Sequence, residues 1–279
     1  MSLESRHPRW ARVLRFPLTR ILVGALFVVP PMIAVRLLGQ ALDVDGRISE
    51  LASALVAWVC YVAYVRVIER RPVVELSAPG AVAEASVGLI IGAALFAGTM
   101  LVLWLLGVAS IGPGHGWSAL VVGLAPAFGA ALSEEIVLRG LVFRILAERL
   151  GDPVALGISA ALFGFLHAFN PGATAVSSIA IALEAGVLLA AAFMVTRRLW
   201  MAIGLHMAWN FTEGSVFGAS VSGHEARGLF SSRFDGADLL SGGAFGPEAS
   251  VVAVILCLTA AVVLIAIARR RSSQVPRPA

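Results

Sequence analysis

Eight apolar stretches, separated by short polar breaks, decide what this sequence can fold into. They run over about 21–38, 51–68, 84–109, 117–138, 154–169, 173–196, 199–219 and 250–268. A helix needs roughly 20 apolar residues to cross the hydrocarbon of a bilayer, so eight of them take about 160 positions. The chain has 279 residues, of which 59% are hydrophobic and 14% charged. Soluble domains carry about a quarter charged residues, so the predicted fold class is an all-α, polytopic transmembrane helix bundle of about eight spans. The first stretch follows a basic tail, as a signal peptide would. It is longer than a typical signal core, contains Pro30 and Pro31 and has no small-x-small cleavage site, so it reads as an uncleaved signal anchor.

Charge sets the orientation. The net charge of +4 would raise the question of nucleic acid in a soluble protein; all 21 basic residues are arginine, and the absence of lysine reads as a genome composition effect. Here the arginines gather at alternate ends of the apolar stretches, as membrane orientation signals do, so no nucleic-acid partner is expected. Arg6, Arg9, Arg12, Arg15 and Arg20 precede the first stretch; Arg66, Arg70 and Arg71 follow the second, and Arg139, Arg144 and Arg149 the fourth. Arg197 and Arg198 follow the sixth, and Arg269, Arg270 and Arg271 the last. The intervening loops hold only Arg47, Arg227 and Arg233. Both termini are therefore predicted to be cytoplasmic, in the plasma membrane of a bacterium-like cell. Cys60 and Cys257 both lie inside apolar runs, which supports neither a disulfide framework nor a cysteine metal site.

The expected organisation is a basic tail over 1–20, three spans over 21–116 and core helices over 117–219. A Gly/Ser-rich extracytoplasmic loop over 220–249 and a last span with a basic tail over 250–279 complete it. Within the loop, Pro247 suits a first helical position and Glu248 a helix N-terminus; the segment suits equally a role in shaping the entrance to a site. No internal repeat is visible.

Ionisable side chains are costly in a bilayer and turn inward or line a cavity, so each is a functional hypothesis. Three clusters stand out: Ser133-Glu134-Glu135 with Arg139, Phe163 with His167, and His206 with Asn210. Glu135 and Arg139 are four apart, so they share a helix face and can pair. Adjacent helical residues point about 100° apart, which leaves Glu134 facing elsewhere. With a turn at Gly151-Asp152, Glu134 and His167 each lie about 25 Å from it along their helices, at a rise of 1.5 Å per residue. Glu134 and His206 are then expected within ~10 Å of one another, in the cytoplasmic half of the membrane, if 141–150 continues as a helix beyond it.

A carboxylate beside imidazole can deprotonate water, and imidazole or carboxamide N–H groups can stabilise a tetrahedral oxyanion. The chemistry this set permits is peptide hydrolysis. Glu134, His167 and His206 could equally hold Zn²⁺ with a water position open, although no His-Glu-x-x-His is present. Ser133 has no Gly-x-Ser-x-Gly context and is expected to bond backbone instead.

These residues resemble the motifs of a known family, the CAAX prenyl endopeptidase and bacteriocin-processing group of intramembrane proteases, also called the abortive-infection family. Its Glu-Glu-x-x-x-Arg, Phe-x-x-x-His and His-x-x-x-Asn motifs are matched in order between about 117 and 210. The resemblance implies that Glu134 and His167 activate water, that His206 and Asn210 form the oxyanion site, and that Glu135 and Arg139 brace the fourth helix. It also implies a peptide or membrane-anchored protein as substrate, without requiring a prenylated one, and leaves metal and metal-free mechanisms both open. Glu184 and Glu213, the remaining intramembrane acids, are expected to line the cavity or take a backbone donor. Two rivals stand beside the protease: a non-enzymatic immunity or scaffold protein of the same fold, and a proton-coupled transporter using Glu and His as a relay.

Overall fold

The computed structural model describes residues 16–273; Arg6, His7, Arg9, Arg12 and Arg15 of the expected basic tail lie outside them, as does 274–279. Six helices are long and apolar enough to cross a membrane: α1 (Pro17–Ala41), α2 (Gly46–Glu69), α3 (Ala81–Leu105), α4 (Ser118–Leu150), α6 (Ala175–Thr196) and α8 (Val251–Arg271). This makes the chain a multi-pass membrane protein. The two other expected spans are shorter helices, α5 (Asp152–His167) and α7 (Trp200–Asn210), so the expected count of eight full-length spans is corrected to six and two. The physical reason is visible in α7, where eight of the eleven residues are buried. A helix surrounded by protein need not match the bilayer thickness.

Local sequence explains the boundaries. Asp45 caps α2 by accepting the Arg47 amide at 2.8 Å. Gly151, at φ 76°, turns the chain between α4 and α5. Thr174 and Ser177 cap the start of α6 reciprocally. The expected continuation of the fourth helix through 141–150 is present, since α4 runs unbroken for 33 residues.

α7 is held by close approach to α3. Gly88 and Gly92 are one helical turn apart and face α7, where an added Cβ would meet the Met201 and Leu205 carbonyl oxygens at 2.2 Å. Small residues at this spacing let two helix backbones touch. That contact sets the height of His206, the residue after Leu205.

Residues 106–109 were expected to continue the third span, but α3 ends at Leu105, Gly107 takes φ 73° and a strand follows. This β1 (Ala109–Pro113) pairs antiparallel with β2 (Phe230–Phe234), Ala109 opposite Phe234 and Pro113 opposite Phe230. The ribbon pins the long loop between α7 and α8 to the exit of α3.

An ionic cluster closes the arginine-rich end. Glu69 accepts from Arg20 at 2.8 Å, Arg71 at 2.7 Å and Arg144 at 2.9 Å. Arg71 also pairs with Glu75 at 2.6 Å, and Arg144 with Glu148 at 2.9 Å. Arg20, near the start of the described chain, reaches Glu148, and Arg271, near its end, donates to the Val195 carbonyl. Both described ends of the chain thus lie at this same end of the bundle. Glu75 sits between α2 and α3; burial pushes its carboxyl upward, but hydrogen bonds from Arg71 and Tyr61 outweigh this and hold it below the ordinary 4.5.

Candidate active site

The Glu-Glu pair lies where α4 widens into a π-helical turn, Ile136–Phe143. Glu135 is fully buried and accepts from Arg139 Nη1 at 2.8 Å, the pairing expected from their spacing. Arg139 Nη2 donates onward to the Gly186 carbonyl at 3.0 Å, at the end of another π turn, Ala182–Gly186 of α6. Each turn has one extra residue, which offsets the backbone locally; such bulges are frequent at functional sites. Ser133 donates to the Gly129 carbonyl at 2.8 Å, as expected of a serine with no nucleophilic role.

Glu135 does more than the bracing assigned to it. The same Oε1 that receives Arg139 lies 3.1 Å from His206 Nδ1. A carboxylate only accepts, so Nδ1 carries the proton and the ring is fixed by its partner. His206 Nε2 then faces Glu134, 4.0 Å from its Oε2. This distance is well inside the expected limit. It exceeds a direct hydrogen bond and fits one bridging water.

The second imidazole is fixed in the same manner. His167 Nδ1 donates to the Phe163 carbonyl at 2.8 Å, which leaves Nε2 as the free ring nitrogen. Phe163 stacks on His167 with ring centroids 4.5 Å apart and 16° between planes. The Arg139 guanidinium lies 4.9 Å from the same Phe163 ring. One buried phenylalanine therefore connects the brace on α4 to the imidazole on α5.

Glu134, Phe163, His167, His206 and Asn210 all line one cavity of ≈ 690 Å³. Its wall follows a single face of α4 through Ala119, Val122, Pro126, Ala130 and Glu134. At successive turns these residues reach about 22 Å along the helix. The opposite limit of the cavity is formed by Arg36, Arg47 and the loop segment from Val221 to Arg227. These belong to the end of the bundle away from Arg20, Glu69 and Arg144. The site thus lies deep between the two ends of the bundle, and its cavity extends toward the arginine-poor one.

The residues fit a zinc site only in part. Both imidazoles are tied through Nδ1, as zinc-binding histidines are through their outer nitrogen. Among the described residues, however, no three His, Cys, Asp or Glu side chains converge to hold a metal ion.

Of the other acids, Glu184 lines the cavity as expected, at 1% exposure. Glu213 is fully buried on the π turn Phe211–Val216 that follows α7. Glu248 was expected to start the last helix, its segment suiting equally a role in shaping the site entrance. It does precede α8, in the turn Pro247–Ala249, but its Oε1 also accepts the Ser222 amide at 2.6 Å and it lines the cavity. The contact with Ser222 was not legible in the sequence because Glu248 falls outside every apolar stretch.

Residues 115–212 match the sequence profile of a family described as Rce1-like, type II CAAX prenyl endopeptidase. The matched stretch contains Glu134, Glu135, Arg139, Phe163, His167, His206 and Asn210. The family points to a peptidase acting on protein substrates. No curated protein and no solved structure matches the chain.

Proposed function

We propose that the protein is an intramembrane endopeptidase that hydrolyses a peptide bond with a water activated by Glu134 and His167. The observation that carries the reading is the 4.0 Å gap between Glu134 and a His206 whose ring is locked by Glu135. A water in that gap attacks the carbonyl carbon of the substrate while Glu134 takes its proton. Negative charge moves to the carbonyl oxygen, where the Asn210 amide donates together with the Nε2–H of a doubly protonated His206, whose two nitrogens face Glu135 and Glu134. The proton passes from Glu134 to the departing amine, giving a carboxylate and a free amine. His167 Nε2 holds the water from its other side.

The substrate is a peptide or membrane-anchored protein reaching the cavity from the arginine-poor end, which is extracytoplasmic by the orientation the arginines predict. The test is Glu134→Ala and His167→Ala in full-length protein reconstituted in liposomes. Loss of peptide cleavage with an unchanged thermal melt supports the enzyme; full biological function in both variants overturns it and favours the scaffold rival. Zinc-assisted hydrolysis by the same three residues is tested by metal analysis of the purified chain. Activity surviving chelator is the result expected of the glutamate mechanism, and a tight metal lost in His206→Ala is the result expected of the zinc one.

A further inference from the structure

Three buried carboxylates beside the catalytic cavity take no part in the hydrolysis. Glu184 comes from the π turn of α6, Glu213 from the π turn after α7, and Glu248 from the turn before α8; their exposures are 1%, 0% and 3%. Their hydrogen-bond partners are few. Glu184 Oε1 receives the Cys257 thiol at 3.5 Å and the Ala185 backbone N–H lies close, while its Oε2 has no partner although Glu184 lines the cavity. Neither oxygen of Glu213 has a well-formed hydrogen bond, and its nearest polar neighbour is Glu248, a second acid, through side chain and backbone N–H. Trp209 lines the same cavity with its indole N–H also unpartnered.

Every other fully buried carboxylate here has a guanidinium: Glu135 has Arg139, and Glu75 has Arg71. Among the described residues no arginine pairs with Glu184, Glu213 or Glu248. A buried acid without a cation is kept neutral by a proton until a cation displaces it, and Glu184 and Glu248 both face the cavity through which such a cation can arrive. A small metal ion needs ligands gathered on one point, and these side chains do not gather so. An elongated organic cation with several N–H donors suits separated acceptors better.

We propose that Glu184 and Glu248, backed by Glu213, form a subsite for a basic side chain of the peptide substrate, an arginine or lysine near the bond that is cut. This rests on the endopeptidase reading but is tested apart from it, by binding to the uncleaving Glu134→Gln variant. The probes are two fluorescent peptides in liposome-reconstituted protein, identical except for arginine or norleucine at one position scanned along the chain. At one position the arginine peptide is expected to bind at least about tenfold tighter. Glu184→Gln and Glu248→Gln, each combined with Glu134→Gln, are expected to bring the ratio to within about twofold. Folding is no obstacle, because replacing an unpaired buried acid by its isosteric amide should keep or raise the melting temperature.

Absence of any position with such a preference overturns the subsite, as does a preference that both glutamine variants retain. A melting shift with Ca²⁺, Mg²⁺ or Zn²⁺ alone that Glu184→Gln abolishes also overturns it, in favour of a metal site. If the preference holds while the unsubstituted protein cleaves no peptide, the subsite stands and the endopeptidase reading falls.

Discussion

The two ends of the bundle handle buried acid in opposite ways. At the arginine-rich end, Glu69 and Glu75 are enclosed by Arg20, Arg71 and Arg144, and nearly every oxygen has a donor. Around the cavity, Glu134, Glu184 and Glu213 each keep an oxygen with no partner. An acid surrounded by guanidinium is finished as a structural element. An acid left short of donors in a membrane protein has been kept for something that arrives later. Glu135 stands at the border: Arg139 and His206 share its Oε1, while its Oε2 has no partner.

The comparison breaks most easily at Glu134. Glu134→Gln should lower peptide cleavage by about 10²–10⁴-fold, the usual contribution of a general base, with an unchanged unfolding midpoint. An equal loss of stability would move Glu134 into the structural class. Next in size is Arg139→Ala, which strands the fully buried Glu135 and should cost about 3–5 kcal/mol, read from denaturant unfolding in detergent. Glu69→Gln weakens several charge-assisted hydrogen bonds and should cost about 1.5–3 kcal/mol, whereas Glu213→Gln should leave stability at or above that of the original chain. Opposite signs for these two would sharpen the division between the ends, and the same sign would erase it.

Acid provides a subtler probe. Glu75 is held below its ordinary 4.5 in the folded state, so its contribution is complete above that pH and is lost as pH falls through the lower folded value. The melting difference between the original chain and Glu75→Gln should therefore shrink on acidification below pH 4.5. Smallest of all is Arg47→Ala: the Arg47–Asp45 pair is 47% and 39% exposed, and its loss should leave the unfolding midpoint unchanged because water screens it.

Hydropathy made the helices legible because burial in lipid and burial in protein both demand apolar side chains. For the same reason it could not separate α5 and α7 from the full spans: a helix inside the bundle reads like one facing lipid. The Glu135–Arg139 pair was legible because it lies within one helix turn. The Glu135–His206 bond was not, since it depends on the glycine-lined contact that sets α7 against α3. Nor could the sequence bring Glu184, Glu213 and Glu248 together. Two of them sit on π turns, where one extra residue shifts which face a side chain occupies, and no residue pattern announces the insertion. The strands β1 and β2 are five residues each without apolar alternation, so they left no periodic signal.

The pairing of those strands changes the loop over the cavity from a free tether into a short closed ring. Without β1 and β2, the segment between the turn after α7 and the start of α8 could wander over its whole length. With them, the part bearing Val221 to Arg227 is anchored on both sides, by the end of the α7 turn and by Phe230. The entropy of ordering that part is spent once, when the protein folds, and need not be spent again at each encounter with substrate. The cavity entrance is thus built before the peptide comes, and amide hydrogens in the ribbon should exchange no faster than those of the helices beside it.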